Sequence, residues 1–379
     1  MSPSWLSDVR RVAEQIAGPD AERVDREGCF PAPTIDALRE AGSLAALVPR
    51  RLGGPEIALV DVVEATSELA RHCASSALVF AMHHIQVATL VRHGSSDAVW
   101  EFVERIRRDS LLLANANSEV GIGGDARRSN CAISLEGGRF HLEKDVLALS
   151  YGEYADAVLA TARRGIDSAP DDQVMVICDG ADLMLTPTTE WSALGLRGTC
   201  SRGFRLVASG PESYILPDFG LISTHTGLPV GNLLLSSVWV GIAEAAGARA
   251  HAYVRQQARS NIGTVPPAAL PLADLSAVLQ QVRDAVASAV ALFETADRAE
   301  NLDALSVLTQ MGNVKITSST LAVDVVQRAL NICGLAGYLE GTPYSLGRLL
   351  RDVHGGPLMV NNGQIRQKIA QRLTMSKTL

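Results

Sequence analysis

The residues best suited to chemistry cluster between Leu111 and Arg163. An apolar run, Leu111 to Ala114, enters a polar turn of Asn115, Asn117, Ser118 and Glu119, and Gly121, Gly123 and Gly124 follow. Amide and hydroxyl side chains donate and accept hydrogen bonds, and glycine leaves backbone uncovered, so a flat cofactor can lie against such a turn. Gly121 to Ala126 also spells G-x-G-x-x-A, the spacing of a dinucleotide-binding turn. That fingerprint needs an amphipathic helix opening at its end and an acidic residue after the next strand. Here Arg127, Arg128, Ser129 and Asn130 are polar and lead into strand alternation, which argues against it. Glycines that merely turn the chain inside a β region are the plainer alternative.

Other chemistry is thinly represented. His83 and His84 are adjacent, and on a helix adjacent side chains point about 100° apart, so at most one faces a given site. The plainer reading is a core or surface histidine with no reaction to run. The six cysteines, Cys29, Cys73, Cys131, Cys178, Cys200 and Cys333, form no C-x-x-C pair and no zinc-like spacing with histidine, so no metal is expected. There is no G-x-S-x-G elbow, P-loop or H-E-x-x-H.

The elements that position these residues follow from periodicity. After Gly137-Gly138, Phe140, Leu142, Val146 and Ser150 fall on one face and His141, Glu143 and Asp145 on the other, the two-residue period of a half-buried strand. Ala157 to Thr161 reads as its partner, with Tyr151-Gly152-Glu153 as the turn between them. Arg202 to Ser209 is a further strand, ended by Pro211. Before this β region, helical periodicity marks Thr34 to Ala41, Ile57 to Ala70 and a helix from Ser75. After it, Leu233 to Arg259, Ala273 to Glu300 and Leu305 to Ile332 are long enough for a bundle, and a fourth helix begins near Leu358. The expected fold is α+β and mostly α: an N-terminal helical domain (1–109), a middle antiparallel β-barrel-like domain (110–220) and a C-terminal four-helix bundle (221–379).

At 379 residues and 47% hydrophobic content the chain can bury a sizeable core, and with aromatics at 4% that core is built from Ala, Leu and Val. A formal charge of −7 argues against a nucleic-acid partner. Asp8, Arg10 and Arg11 interrupt the N-terminus, and the longest apolar run, Leu233 to Ala243, is too short to span a bilayer. A soluble, cytoplasmic protein with no membrane partner is expected.

This order of regions resembles the acyl-CoA dehydrogenase superfamily, and local motifs match along nearly the whole chain. Leu38 to Gly42 followed by Val48 to Gly54 resembles the family's helix ending in A-G and then P-x-x-x-G-G. Asn117 to Asp125 is similar to its T-E-P-x-A-G-S-D flavin loop, with Ser118 for the Thr and Gly124 for the Ser. Leu147 to Ser150 stands where the family has W-I-T or W-I-S, and Leu194 to Ser201 resembles L-G-x-R-x-T-x-S. Arg259 to Gly263 resembles R-x-x-F-G, Asn331 to Tyr338 the Q-x-x-G-G-x-G-Y loop, and Arg348 to Asp352 the R-x-x-R-D after it. The resemblance implies FAD, held by Asn117, Ser118, Gly124, Leu149, Ser150, Arg259, Ile262, Asn331, Gly334, Asn362 and Gln364. Arg259 would reach the pyrophosphate of a neighbouring subunit, making the protein a homodimer or homotetramer.

The departures cluster at the chemistry. Acyl thioester dehydrogenation needs a base for the α-proton while hydride leaves to flavin N5, and the family's usual glutamate aligns with Val360, which cannot accept a proton. The other known seat falls at Gly231 or Asn232, and Ala148 replaces a tryptophan. The resemblance therefore implies, first, α,β-dehydrogenation of an acyl thioester with a base from elsewhere and an electron-transfer flavoprotein as acceptor. A second reading is a flavin monooxygenase on this fold, served by a flavin reductase, with His83, His84 or His354 near the ring. A third is a base-less flavin- or acyl-binding subunit of a hetero-oligomer.

Overall fold

A computed structural model describes residues 3–123, 125–260 and 263–375. The N-terminal region holds α1 (Pro3–Val12), which runs through a π turn into α2 (Gly18–Glu27), then α3 (Ala32–Glu40), α4 (Leu59–His72), α5 (Ala74–His93) and α6 (Asp97–Arg108). Helix α3 stops where expected, with Gly42 taking a left-handed φ of 65°. Helix α6 has its own start signal: the Ser96 hydroxyl accepts from the Val99 amide at 3.2 Å, and Arg105, Arg107 and Arg108 complement its C-terminal dipole.

Eight strands follow: β1 (Leu113–Ala116), β2 (Ser134–Glu136), β3 (Arg139–Val146), β4 (Ala157–Arg163), β5 (Gln173–Asp179), β6 (Leu183–Pro187), β7 (Phe204–Pro211) and β8 (Ile215–Leu216). They form the expected middle β domain as two four-stranded sheets, ordered β1-β4-β5-β8 and β2-β3-β7-β6, whose strand pairs are antiparallel except that β1 runs parallel to β4. The expected β3–β4 hairpin does not form. Strand β3 pairs with β7 from Arg139–Pro211 to Val146–Phe204, and β4 pairs with β1 and β5. The reason lies in the link between them. The Leu149 amide donates to the Arg202 carbonyl at 2.8 Å, the Tyr151 amide to the Thr199 carbonyl at 2.7 Å and the buried Tyr151 hydroxyl to the Leu113 carbonyl at 2.9 Å. These bonds carry the chain from one sheet to the other. The inward face of β3 also includes Lys144, fully buried between Leu142 and Val146, and Ser150 lies beyond the strand's end.

The last region comprises α7 (Phe219–Ile222), which leads through a π turn to α8 (Pro229–Ser260), then α9 (Ala269–Arg298), α10 (Leu305–Cys333), α11 (Leu335–Tyr338), α12 (Gly347–Val353) and α13 (Asn362–Met375). Helices α8, α9 and α10 pack together, α13 lies on α10, and α4 and α5 cover the other side of α8. A Cβ on Gly241 would run into the Ser67 carbonyl, so glycine there lets α8 and α4 close. The stretches Ala74–His93 and Phe219–Ser260 are long and apolar enough to cross a membrane, but their apolar windows are 83% and 89% buried inside the protein. Their uniform hydrophobicity is that of core helices.

Candidate active site

Two cavities meet where the sheets face the helices. The larger, about 490 Å³, is walled by Leu78 and Met82 of α5, the 148–150 turn, the 191–201 loop and the segment around His354 to Val360. The smaller, about 300 Å³, lies between α5, α7, the start of α8 and α13. Met82, Asn115, Met359 and Val360 line both, so one wall of alkyl, thioether and amide groups separates them.

The larger cavity suits a flat, polar-edged ring. Its walls are mostly apolar and carry the hydroxyls of Ser118, Ser150, Thr199 and Ser201. The Trp191 indole N–H lining it and the nearby Asn117 Oδ1 are buried without a hydrogen-bond partner among the described residues. Orphaned polar atoms of this kind are what a bound heterocycle would complete. The hydroxyls also have an order. Thr199 Oγ1 donates to the Leu196 carbonyl at 2.9 Å, so Ser201 gives its proton to Thr199 and Ser150 gives its own to Ser201, each at 2.8 Å. Ser150 is thereby left presenting lone pairs to the cavity.

Val360 sits on the shared wall, 55% exposed, with a left-handed φ of 47° that a β-branched residue rarely adopts. One buried ammonium pins it: Lys315 Nζ of α10 donates to the carbonyls of Val360 at 2.7 Å and Gly356 at 2.8 Å and to Asn362 Oδ1 at 2.8 Å. Burial, then the charge of Arg366, pulls the Lys315 pKa down to about 7.

The glycine loop is held just as firmly. Glu119, 5% exposed, accepts from the Ser129 hydroxyl at 2.7 Å and from the Asn130 and Cys131 amides at 2.9 Å, and lies 3.5 Å from Lys144. Gln364 Nε2 donates to the Gly123 carbonyl at 2.9 Å, and Lys368 pairs with Asp125 at 3.4 Å, tying the loop to α13.

The structure sorts the sequence-derived candidates. Ser118, Ser150 and His354 line the larger cavity; Asn117 and Gln364 line the smaller. His83 and His84 do not face either one, which removes them as proton carriers. The Leu113 amide donates to His83 Nδ1 at 3.1 Å, His83 Nε2 bonds the Leu44 carbonyl at 2.7 Å, and His84 contacts the Phe80 and Ser43 carbonyls. Burial, then the charge of His84, pushes the His83 pKa well down, and burial takes His84 to about 4; both are neutral core residues. Leu149 spends its amide on Arg202 and is fully buried. Asn362 is likewise enclosed, bonded to Lys315 and, through Nδ2, to Ser319 at 3.0 Å, so it shapes the Val360 turn and lines neither cavity. Gly124 and Ile262 lie outside the described residues.

Arg259, Asn331 and Gly334 gather elsewhere. Arg259 and Asn331 are exposed near the C-terminal ends of α8 and α10, and Gly334 follows with a φ of 55°. Tyr344 bonded to Gln256 and Arg249 bonded to the Ser345 carbonyl show that both ends lie together. From Asn232 at the smaller cavity to Arg259 is about 40 Å along α8 at helical rise. Met82, Gln86, Trp191, Met359 and Lys315 carry no signal in the sequence that marks them as site residues, whereas Asn115 belongs to the polar turn read there. Apolar and amide groups carry no motif, and Lys315 is legible only as a charge on the otherwise uncharged buried face of α10.

Comparison with known proteins agrees with this arrangement. Residues 4–109 match the family description "Acyl-CoA dehydrogenase, N-terminal domain" and residues 219–371 "Acyl-CoA dehydrogenase, C-terminal domain". A cyclohex-1-ene-1-carbonyl-CoA dehydrogenase of Syntrophus aciditrophicus is 22% identical over 370 residues, covering 96% of this chain and 87% of that one. Butyryl-CoA dehydrogenase from Megasphaera elsdenii superposes with a TM-score of 0.85 at 20% identity, covering 98% of this chain and 97% of that one. Dibenzothiophene monooxygenase from Paenibacillus sp. A11-2 superposes at 0.80 and 19% identity, covering 97% and 96%. The chain belongs to the acyl-CoA dehydrogenase superfamily of flavin-dependent oxidoreductases.

Proposed function

We propose that this protein is a flavin-dependent monooxygenase that receives reduced FAD from a flavin reductase and oxygenates a small molecule bound in the smaller cavity. The fold is common to dehydrogenases and monooxygenases, so the wall between the cavities carries the choice. That wall is Met82, Asn115, Met359 and Val360, and among the described residues lining either cavity none is Asp or Glu. α-Proton abstraction has no carboxylate acceptor there. When bound, reduced flavin supplies two electrons to O2, one oxygen atom going to the substrate and the other leaving as water.

The chain's own residues do the rest. Ser150 would accept from the ring's edge and Trp191 would donate to it, while Met82, Met359 and Val360 would keep water from the reacting face. His354 lines the larger cavity and would carry a proton on the flavin side. Arg259 and the Gly334 loop would reach the FAD of a second copy.

The test is to mix protein loaded with reduced FAD with aerated buffer. Oxygen uptake is expected to run ahead of the return of oxidised-flavin absorbance. Uptake and absorbance returning together would overturn the reading.

A further inference from the structure

We propose that the smaller cavity binds a free organic anion, an apolar body with one carboxylate-type head, the head held between Arg127 and Arg372. The proposal rests on the preceding reading only for which end of the cavity faces the flavin.

The body of the cavity is apolar, lined by Met82, Ile85, Phe219, Ile222, Leu228 and Leu235. At its α13 side stand three cations, Arg127, Lys368 and Arg372. Lys368 has its counter-ion in Asp125 at 3.4 Å. The other two have none: among the described residues no carboxylate reaches either guanidinium, and the only acceptor of Arg372 is the Leu308 carbonyl at 3.1 Å. Arg372 is half-buried, and burial followed by the charge of Arg127 lowers its pKa, so the two guanidiniums repel each other across the cavity edge.

Two like charges beside an apolar hollow are costly unless an anion completes them. A planar carboxylate, or a sulfonate or phosphate with the same oxygen spacing, bridges two guanidiniums with charge-assisted bonds. Arg372 lies about three turns of α13 beyond Asn362. A molecule with its head there extends its body along the apolar walls toward Val360, and the amides of Gln86 and Asn115 meet its far end.

Calorimetry on the FAD-loaded protein, with no reductant present, tests this with octanoate against octanamide. Octanoate is expected to bind at least tenfold more tightly at low salt, an advantage that shrinks as salt rises. Arg372→Met is expected to bring the two within about threefold while octanamide affinity stays unchanged, and Arg372→Lys to restore part of the preference. If Arg372→Met does not fold, Arg127→Met carries the same comparison from an exposed position. Equal binding of acid and amide, or a preference that survives both substitutions, would overturn the proposal. So would octanoyl-CoA binding more tightly than octanoate with the Arg372→Met loss confined to the CoA ester, because the cations would then serve a nucleotide tail. The binding readout involves no oxygen chemistry, so failure here and failure of the monooxygenase reading are separable.

Discussion

Ser150 shows how a single proton decides what a site can recognise. Because Thr199 donates to the Leu196 carbonyl, the chain of hydroxyls runs outward and Ser150 offers lone pairs to the larger cavity. Reduced flavin carries an N5–H that oxidised flavin lacks, so an acceptor favours the reduced form. Ser150→Ala should weaken reduced-flavin binding by about 1 kcal/mol, the worth of one neutral hydrogen bond. Thr199→Val, by removing the relay's sink and returning a proton to Ser150, should narrow the affinity gap between reduced and oxidised FAD. Fluorescence titration of both forms checks this, and a gap unchanged by Thr199→Val would contradict the relay. The seryl position is readable from the motif, but the direction of its proton is not, because it depends on a carbonyl four residues upstream of Cys200.

The loop and turn that carry these residues are each fixed by one buried charge. Lys144 and Glu119 hold the glycine loop, and a charge left alone in that environment is expensive: Glu119→Gln or Lys144→Met should each cost about 3 to 5 kcal/mol. Thermal unfolding measures it, and a loss under 1 kcal/mol would show the pair to be incidental. Helix α12 offers a pH test. Asp352 is fully buried and accepts from the Leu196 amide at 2.6 Å; burial raises its pKa to about 6 against a partly offsetting pull from Arg348. A folded-state pKa above the unfolded value gives stability that is present at acid pH and lost as pH rises through about 6. Relative to Asp352→Asn, the parent should lose roughly 2 to 3 kcal/mol between pH 4 and pH 7, as read from urea unfolding. A pH-independent difference would mean that Asp352 ionises as freely as in the unfolded chain. The long helices and the alternation of β3 were legible because periodicity reports which face is buried. The partner of β3 was not, since Tyr151 and Leu149 spend their bonds on segments fifty residues away or on the other sheet, which no local pattern records. Lys144 broke the apolar alternation for the same reason: its counter-ion lies in a different segment.

At the scale of the whole molecule, the hydroxyls of Ser150, Thr199 and Ser201 line the larger cavity, while Arg259 stands exposed at the C-terminal end of α8. Arg259 lies about 40 Å along α8 from Asn232 at the smaller cavity, among the described residues none of α8 lines the larger cavity, and Leu335 and Tyr338 beside Gly334 are 71% and 73% exposed. An oligomer in which this end meets a neighbour's larger cavity satisfies both observations. Arg259→Ala should then weaken FAD retention about tenfold or more, the scale of a charged hydrogen bond, without altering the fold; a monomer that keeps FAD in sedimentation would contradict it. Family membership was readable from the order of weak motifs, each of which meant little alone. The reaction was less so, because it turns on which groups wall a cavity, and Met82, Met359 and Val360 come together only in three dimensions. The most direct trial is to add straight-chain acyl-CoAs anaerobically to the FAD-loaded protein and follow the flavin absorbance. With valine where a base would stand, the flavin should stay oxidised throughout. Bleaching by any of them at a catalytic rate would show that a proton acceptor reaches the substrate and that the protein is a dehydrogenase.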